Sequence, residues 1–219
     1  MGLDGQADAR LAAGADARLR TPPADSMPPS TTSLAAPPPR RIESALLLRR
    51  WEPADAPALF EALVASTAEL RRWTPWVAPE PLLLDVAVQR VAEQRARFDE
   101  GGAWVYGVFE RDGRVLGSVG LFERIGPGAL EIGYWIRSDA TGRGHARGAA
   151  ALVRDAAFAE CGAARVEIRC NPANAASNVI PERLGFRRRG EILLTDGLRP
   201  GESGHLIVWE QLAGHAQRA

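Results

Sequence analysis

A glycine-punctuated turn, Thr141-Gly-Arg-Gly-His-Ala146, has the residue types and spacing that point most directly to chemistry. It follows an apolar run at 130–137 and precedes a segment with the apolar spacing of a helix. A strand, a glycine turn and a helix start, in this order, leave backbone N–H groups free to bind an anion. Gly142 and Gly144 let such a ligand approach without meeting a Cβ atom. The turn therefore predicts a site for the pyrophosphate of a nucleotide.

Two common phosphate-binding loops do not fit this turn. A Walker A loop needs a lysine after its last glycine, and the chain contains no lysine. A Rossmann fingerprint needs a third glycine three residues after the second, but here Arg147 stands at that position and Gly148 comes one residue too late.

The elements that must position the turn follow from periodicity and from glycine, proline and Asn/Asp signals. Helices are predicted at residues 55–66, 84–100, 142–160 (turn plus helix) and 174–184, with a short one before Trp73. Strands are predicted at 45–51, 104–110, 114–122, 130–137, 165–170, 186–194 and 205–212. This order predicts an α+β, three-layer fold: a mixed, mostly antiparallel sheet of about seven strands with helices on both faces.

Four segments in this order resemble those of the GNAT superfamily of N-acetyltransferases, and within it the RimJ/RimL-like group. They are Arg72-Trp-Thr-Pro-Trp76, Ile132-Gly-Tyr-Trp135, the glycine turn, and Asn174-Ala-Ala-Ser177 followed by Pro181-Glu-Arg-Leu-Gly-Phe186. The resemblance covers roughly residues 46–212. Thr141 departs from the usual Gln or Arg at the first position of the loop, where the family's contacts are made mostly by main chain.

The resemblance implies a GNAT fold that binds acetyl-CoA between two separating strands and needs no metal. The implied cofactor-binding residues are Trp135, Ile136, Arg137, Gly142, Arg143, Gly144, His145, Ala146, Arg147, Asn174 and Ser177. Ser177 is also the implied catalytic donor of a proton to the leaving thiolate, where many relatives use tyrosine. Glu131 is a candidate catalytic base, and Trp73 and Trp76 are candidates for the wall of an acceptor groove.

Each of these residues also has a structural interpretation. Asn174 is a good N-cap, which is compatible with cofactor contact, and a helical serine such as Ser177 can bond to its own backbone. Glu131 can be an ion-pair partner on a strand, and the two tryptophans can pack in the core. Cys170 could accept an acyl group, although a free cysteine is more often a small buried hydrophobe.

The pKa of the accepting amine decides how strong a catalytic base the reaction needs. Deprotonating an α-amino group of pKa near 7.7–8.0 costs about 1 kcal/mol at pH 7, whereas a lysine near 10.4 costs almost 5. The resemblance to the RimJ/RimL-like group implies direct transfer of acetyl to a protein N-terminal α-amine, and such an acceptor needs only a weak base or a water chain. A small amine such as an antibiotic or polyamine, a catalytically inactive CoA-binding regulatory module, and a purely structural protein stay open as alternatives.

Composition sets the remaining limits on the chain. The formal net charge is zero, which argues against a nucleic-acid partner, and no apolar stretch approaches the ~20 residues of a membrane helix. The two cysteines, without metal spacing, are interpreted as reduced thiols of a cytoplasmic protein.

The domain boundaries follow from composition and from the resemblance. We predict a disordered tail at residues 1–41, which are rich in Ala and Pro, the GNAT domain at residues 42–214 and a frayed end at residues 215–219. A homodimer, the role of the tail and a native start at Met27 are left open.

Overall fold

A computed structural model describes residues 34–43, 46–74, 77, 82–194 and 204–214. Its strands are β1 (Arg40–Glu43), β2 (Leu46–Arg50), β3 (Ala103–Glu110), β4 (Val115–Phe122), β5 (Ala129–Ile136), β6 (Arg165–Cys170), β7 (Arg187–Leu193) and β8 (His205–Leu212). Its α-helices are α1 (Ala56–Val64), α2 (Thr67–Trp73), α3 (Leu84–Glu100), α4 (His145–Ala159) and α5 (Ala175–Arg183).

The strands form one sheet in the order β1-β2-β3-β4-β5-β6-β8-β7. Every neighbouring pair is antiparallel except β5 and β6. The predicted mixed, mostly antiparallel sheet with helices on both faces is therefore confirmed. It has one strand more than the seven predicted, because residues 40–43 pair with β2.

Two hydrophobic clusters hold the helices against the sheet. One joins α4, through Ala149 and Val153, to alternate residues of the strands such as Tyr106 and Ile132. The other joins α1, α2 and the first half of α3 to Trp51, Phe109 and their neighbours. Successive side chains of a strand point to opposite faces of a sheet, so the sheet forms the middle layer of three.

Turn chemistry places the elements where the sequence predicts them. Gly101 ends α3 with φ of 90°, and Gly113 closes the β3–β4 hairpin with φ of 93°. Asp112 accepts from the backbone N–H of Arg114 at 3.0 Å in the same turn. These positive φ angles are accessible to glycine at little cost, which is why the element boundaries agree closely with the prediction.

The described part of the chain begins at residue 34, before the predicted boundary at residue 42. Leu34 packs against the larger cluster, and the N–H of Ala35 donates to the carbonyl of Cys161 at 3.1 Å. The buried Tyr106 donates its hydroxyl proton to the carbonyl of Pro38 at 2.7 Å. Residues 34–41, which the composition assigns to the tail, therefore make backbone contacts with the domain. The rest of the predicted tail, and residues 215–219, lie outside the described residues.

Candidate functional site

The parallel strands β5 and β6 separate in the middle of the sheet. They pair from Ala129 opposite Arg165 to Ile132 opposite Ile168, and no farther. Beyond that point residues 133–136 of β5 stay paired with β4 on their other side, and Cys170 stays paired with β8. Residues 133–137 are half-buried although they lie at the centre of the sheet. A gap between two strands, with backbone edges facing it, therefore opens at the C-terminal end of β5.

Helix α4 starts beside this gap without a side-chain cap. Its N-cap, Gly144, has φ of 83° in the left-handed region, and Gly142 has φ of 76°. From residue 141 onward, the first backbone N–H for which the structure shows a backbone acceptor is that of Gly148, which donates to the carbonyl of Gly144. The N–H groups of the first helical turn have no partner inside a helix. Residues 142–148, which carry these groups, are exposed or half-buried, and an accessible helix start of this kind suits an anion.

The loop between β5 and α4 is fixed by side chains on its flanks. Arg137 donates to both carboxylate oxygens of Asp139, at 2.5 and 3.1 Å, and this bonding lowers the pKa of Asp139. Buried Ser66, between α1 and α2, accepts the N–H of Ser138 at 3.0 Å. Arg137 is thus occupied by Asp139, so that contact between residue 137 and a cofactor would come mainly from its main chain.

Ser177 lies across the gap from β5, in the first turn of α5. The side chain of Asn174 accepts from the N–H of Ser177 at 3.1 Å, so the predicted N-cap is confirmed. The Ser177 hydroxyl is 3.2 Å from the hydroxyl of Tyr134 and 3.2 Å from the thiol of Cys170. Three elements, β5, β6 and α5, therefore meet at this one hydroxyl.

Burial changes the acidity of the two neighbours of Ser177. It raises the pKa of Cys170 above the ordinary value of a thiol, against the hydrogen bonds of Ser177 and Tyr134, which lower it. Burial also raises the pKa of Tyr134 well above that of a free phenol. Both groups are consequently neutral near pH 7.

Glu131 is held in an ion-pair network on the sheet. Both of its oxygens accept from Arg124, at 2.6 and 3.0 Å, and Arg169 approaches to 3.8 Å. Its neighbour across the strands is Glu167, which is fully buried and paired with Arg165, Arg169 and Arg189. Glu131 and Tyr134 are three residues apart on β5, so their side chains point to opposite faces. The described contacts of Glu131 are those of an ion-pair partner.

The remaining candidates lie in three places. Trp135 and Ile136 are half-buried on β5 beside the gap. His145 starts α4, and its buried Nε2 atom has no hydrogen-bond partner. Trp73 ends α2 and donates to Glu69 at 2.7 Å, with the guanidinium of Arg72 stacked 4.7 Å from its ring. Trp76 lies outside the described residues.

Tyr134 is the member of the site that the sequence analysis missed. The signal was present in Pro181, four residues after Ser177. A proline there has no N–H to donate to the Ser177 carbonyl, and that carbonyl then needs a donor from elsewhere.

Among the described residues, no group of three or more His, Cys, Asp or Glu side chains could hold a metal ion. In the same part of the chain, no helix has the length and apolar character to span a membrane.

Comparison with known proteins places this geometry in a family. A family model described as an acetyltransferase (GNAT) domain matches residues 45–187. YdaF of Bacillus subtilis (strain 168), whose name provisionally places it among ribosomal N-acetyltransferases, is 27% identical over 175 residues, which cover 78% of this chain and 93% of YdaF.

Solved structures share the fold. RimJ of Mycobacterium smegmatis in complex with CoA-disulfide matches with a TM-score of 0.73 and 22% identity, over 84% of this chain and 90% of RimJ. RimL, a ribosomal L7/L12 α-N-protein acetyltransferase solved with CoA in a disulfide with one of its cysteines, matches with a TM-score of 0.70 and 20% identity, over 80% of this chain and 98% of RimL.

Proposed function

Because the chain belongs to the GNAT acetyltransferase family, and is therefore an acyltransferase, we propose that it transfers acetyl from acetyl-CoA to a primary amine by direct attack. The favoured acceptor is the α-amine at the N-terminus of a protein. The observation that carries the proposal is the pairing of two open hydrogen-bonding surfaces: the uncapped start of α4 and the separated edges of β5 and β6.

The two surfaces match the two parts of the cosubstrate. Acetyl-CoA carries a pyrophosphate, which suits the N–H groups of residues 142–147 and the positive end of the α4 dipole. It also carries an extended arm with two amides, which suits the separated backbone edges of β5 and β6 beside Trp135 and Cys170, as an added strand would. The proposed cofactor-binding residues are Trp135, Ile136, Arg137, Gly142, Arg143, Gly144, His145, Ala146, Arg147, Asn174 and Ser177.

Ser177 lies where this arm would end. Its hydroxyl adjoins the gap between β5 and β6, beside Cys170, and RimL forms its CoA disulfide through a cysteine. We assign Ser177 the role of giving a proton to the departing thiolate. The thiol pKa near 8.5 makes this help modest at pH 7, so loss of Ser177 should slow the reaction without abolishing it.

The proposed acceptor follows from the names of the relatives and from acidity. RimL is named as an α-N-protein acetyltransferase acting on ribosomal L7/L12, and YdaF is grouped with ribosomal acetyltransferases. An α-amine needs little help to lose its proton, which suits a site where Glu131 is already engaged by Arg124. A ribosomal acceptor would place the enzyme in the cytoplasm.

Binding of the cosubstrate tests the first half of the proposal. Titration calorimetry with acetyl-CoA should give saturable binding, and Gly144→Ala should weaken it about tenfold or more, because a Cβ would enter the phosphate path. Gly162→Ala is the matched control: its φ of 74° imposes similar strain, but it lies after α4 with open space around it. Absence of binding to the wild-type protein would exclude the proposal.

Turnover tests the second half. Release of free CoA should be followed with peptides that have a free N-terminus, with blocked peptides that contain lysine, and with spermidine. We expect turnover only on free α-amines. Mass spectrometry identifies the acetylated products. Since the protein has no lysine, acetylation of its own lysines cannot contribute to these spectra. Turnover on spermidine alone would favour a small-molecule acetyltransferase, and binding without any turnover a regulatory module.

A further inference from the structure

Pro181 leaves a carbonyl open inside the first turns of α5. In an α-helix the carbonyl of residue i accepts from the N–H of residue i+4, and the residue four after Ser177 is this proline. Proline has no backbone N–H. The Ser177 carbonyl therefore has to find another donor.

The hydroxyl of Tyr134 supplies that donor from β5. It lies 3.1 Å from the Ser177 carbonyl oxygen. A carbonyl can only accept, so the single phenolic proton of Tyr134 is directed to it.

This bond fixes the direction of the next one. The Tyr134 oxygen is also 3.2 Å from the Ser177 hydroxyl oxygen, where either atom could donate. With the phenolic proton already used, Ser177 must donate and Tyr134 accept. In this state the lone pairs of the Ser177 oxygen face the Cys170 thiol, 3.2 Å away. The hydroxyl proton can rotate from Tyr134 to a departing thiolate, because a charged acceptor is stronger than a neutral phenol, while the Ser177 oxygen keeps its position.

Tyr134 is also suited to keep this arrangement over a wide pH range. Burial raises the pKa of its phenol well above the ordinary value, so it stays protonated where acetyl transfer would be measured. Its ring packs against the cluster under α4, which restricts its motion.

We propose that Tyr134 is a positioning residue: its hydroxyl, bound to the carbonyl that Pro181 leaves open, holds the Ser177 side chain in one rotamer, with the Ser177 oxygen beside the gap between β5 and β6. The inference rests on the proposed function, because it assigns Tyr134 an effect on the rate only through Ser177.

Kinetics of Tyr134→Phe test the inference. The change removes one neutral hydrogen bond to the hydroxyl, so kcat should fall about three- to tenfold, with KM for acetyl-CoA changed less than about twofold. In the Ser177→Ala background the same change should lower kcat less than about twofold, because residues that act as a unit are not additive. An equal loss in both backgrounds would overturn the inference.

The matched control is Tyr106→Phe. Tyr106 is the other tyrosine of the chain, lies on β3 and donates to the Pro38 carbonyl. Its variant loses the same hydroxyl away from the gap, so kcat should stay at the wild-type value. A loss equal to that of Tyr134→Phe would mean that general destabilisation explains both, which would also contradict the inference.

Pro181→Ala separates the two hydrogen bonds of Tyr134. Alanine at 181 returns an N–H to the Ser177 carbonyl but gives nothing to the Ser177 hydroxyl. Adding Pro181→Ala to Tyr134→Phe should therefore leave kcat low. Recovery of the wild-type kcat would show that only the carbonyl matters and would overturn the inference.

A structural readout keeps this inference distinct from the proposed function. In crystals of Tyr134→Phe we expect the Ser177 side chain to adopt more than one rotamer, whereas the wild-type protein has one. This result does not depend on turnover, whose absence in the wild-type protein would count against the proposed function instead. A single, unchanged Ser177 rotamer in Tyr134→Phe would refute the positioning role.

Discussion

Cys170 illustrates how a residue in the site can be close to the chemistry and yet unreactive. Its thiol is buried beside Ser177 and Tyr134. The thiolate is the reactive form of cysteine, and burial keeps Cys170 in the thiol form. This arrangement disfavours the role of Cys170 as an acyl acceptor, which the sequence left open.

The pH dependence of Cys170 modification follows from its raised pKa. Oxidised CoA should form a mixed disulfide with Cys170 slowly at pH 7, and the rate should rise about tenfold per pH unit to beyond pH 9, because the thiolate fraction rises in that proportion below the pKa. The measurement is intact mass in a Cys161→Ala background. A rate that reaches its plateau below pH 8 would contradict the raised pKa.

Glu131 provides a second prediction for a single side chain. Glu131→Gln should lower the free energy of unfolding by about 1–2 kcal/mol, since Arg124 would lose a charged partner near the surface. The value of kcat should stay within about tenfold of wild type, because general acid–base catalysis contributes 10²–10⁴-fold where it operates. Urea unfolding measures the free energy of unfolding, and steady-state kinetics measures kcat. A hundredfold loss of kcat in a folded variant would restore Glu131 as the base.

Residue types in the site were predictable, but their contacts were not. The glycine turn and the N-cap Asn174 act through local backbone geometry, which a short segment of sequence encodes. The partners of Glu131 and Ser177 come from other elements: Arg124 lies in the turn before β5, Arg169 lies on β6, and Tyr134 reaches α5 from β5. Contacts of this kind depend on which elements become neighbours in the fold, and the periodicity of a single segment does not show this.

At the scale of elements, β4 and β5 approach each other closely next to the gap. A Cβ added at Gly117 would lie 2.1 Å from the carbonyl oxygen of Trp135. Backbone atoms form this contact, so no side-chain rotation can relieve it. The absence of a side chain at residue 117 thus sets the position of the β5 segment that borders the gap.

Gly117→Ala should therefore disturb both folding and ligand binding. Overpacking of this kind costs about 1–3 kcal/mol of stability, and the shift of Trp135 should weaken acetyl-CoA binding. Gly190→Ala is the matched control, with φ of 157° against 156° at Gly117 and nothing within 4 Å. Chemical unfolding and calorimetry measure the effects. Equal losses in the two variants would point to backbone strain and not to the contact.

The elements themselves were largely predictable, whereas their arrangement was only partly so. Helix and strand bounds agree with periodicity and with turn residues such as Gly113 and Gly185. The position of β8 between β6 and β7 was outside the reach of the sequence, because it depends on pairings between segments distant in the chain.

In the domain as a whole, residues 34–39 connect three parts of the chain that are distant in the sequence. They contact Cys161 after α4, Tyr106 on β3 and Arg50 on β2, through hydrogen bonds of 3.1, 2.7 and 2.8 Å. The composition of the Ala- and Pro-rich stretch at 1–41 predicts disorder. Residues 34–39 nevertheless contact the domain, through the packing of Leu34 and through backbone groups of Ala35, Pro38 and Pro39.

Truncation measures the contribution of this segment. A chain that begins at residue 40 should be less stable than one that begins at residue 34 by about 1–3 kcal/mol, the range for a buried polar group such as the Tyr106 hydroxyl left without its partner. Tyr106→Phe should reduce that difference, since it removes the group that needs the partner. Equal stability of the two truncated chains would contradict the role of residues 34–39.

The separation of β5 from β6 sets a limit on how stable this protein can become while it remains an enzyme. Continued pairing of the two strands past Ile132 and Ile168 would add hydrogen bonds, and substitutions that favour such pairing would raise the melting temperature. The same pairing would occupy the backbone edges of β5 and β6 that we assign to the extended, amide-bearing arm of acetyl-CoA. Selection for thermal resistance alone should thus yield inactive variants at these positions, and acetyl-CoA, by completing the unfinished sheet, should itself act as a stabiliser.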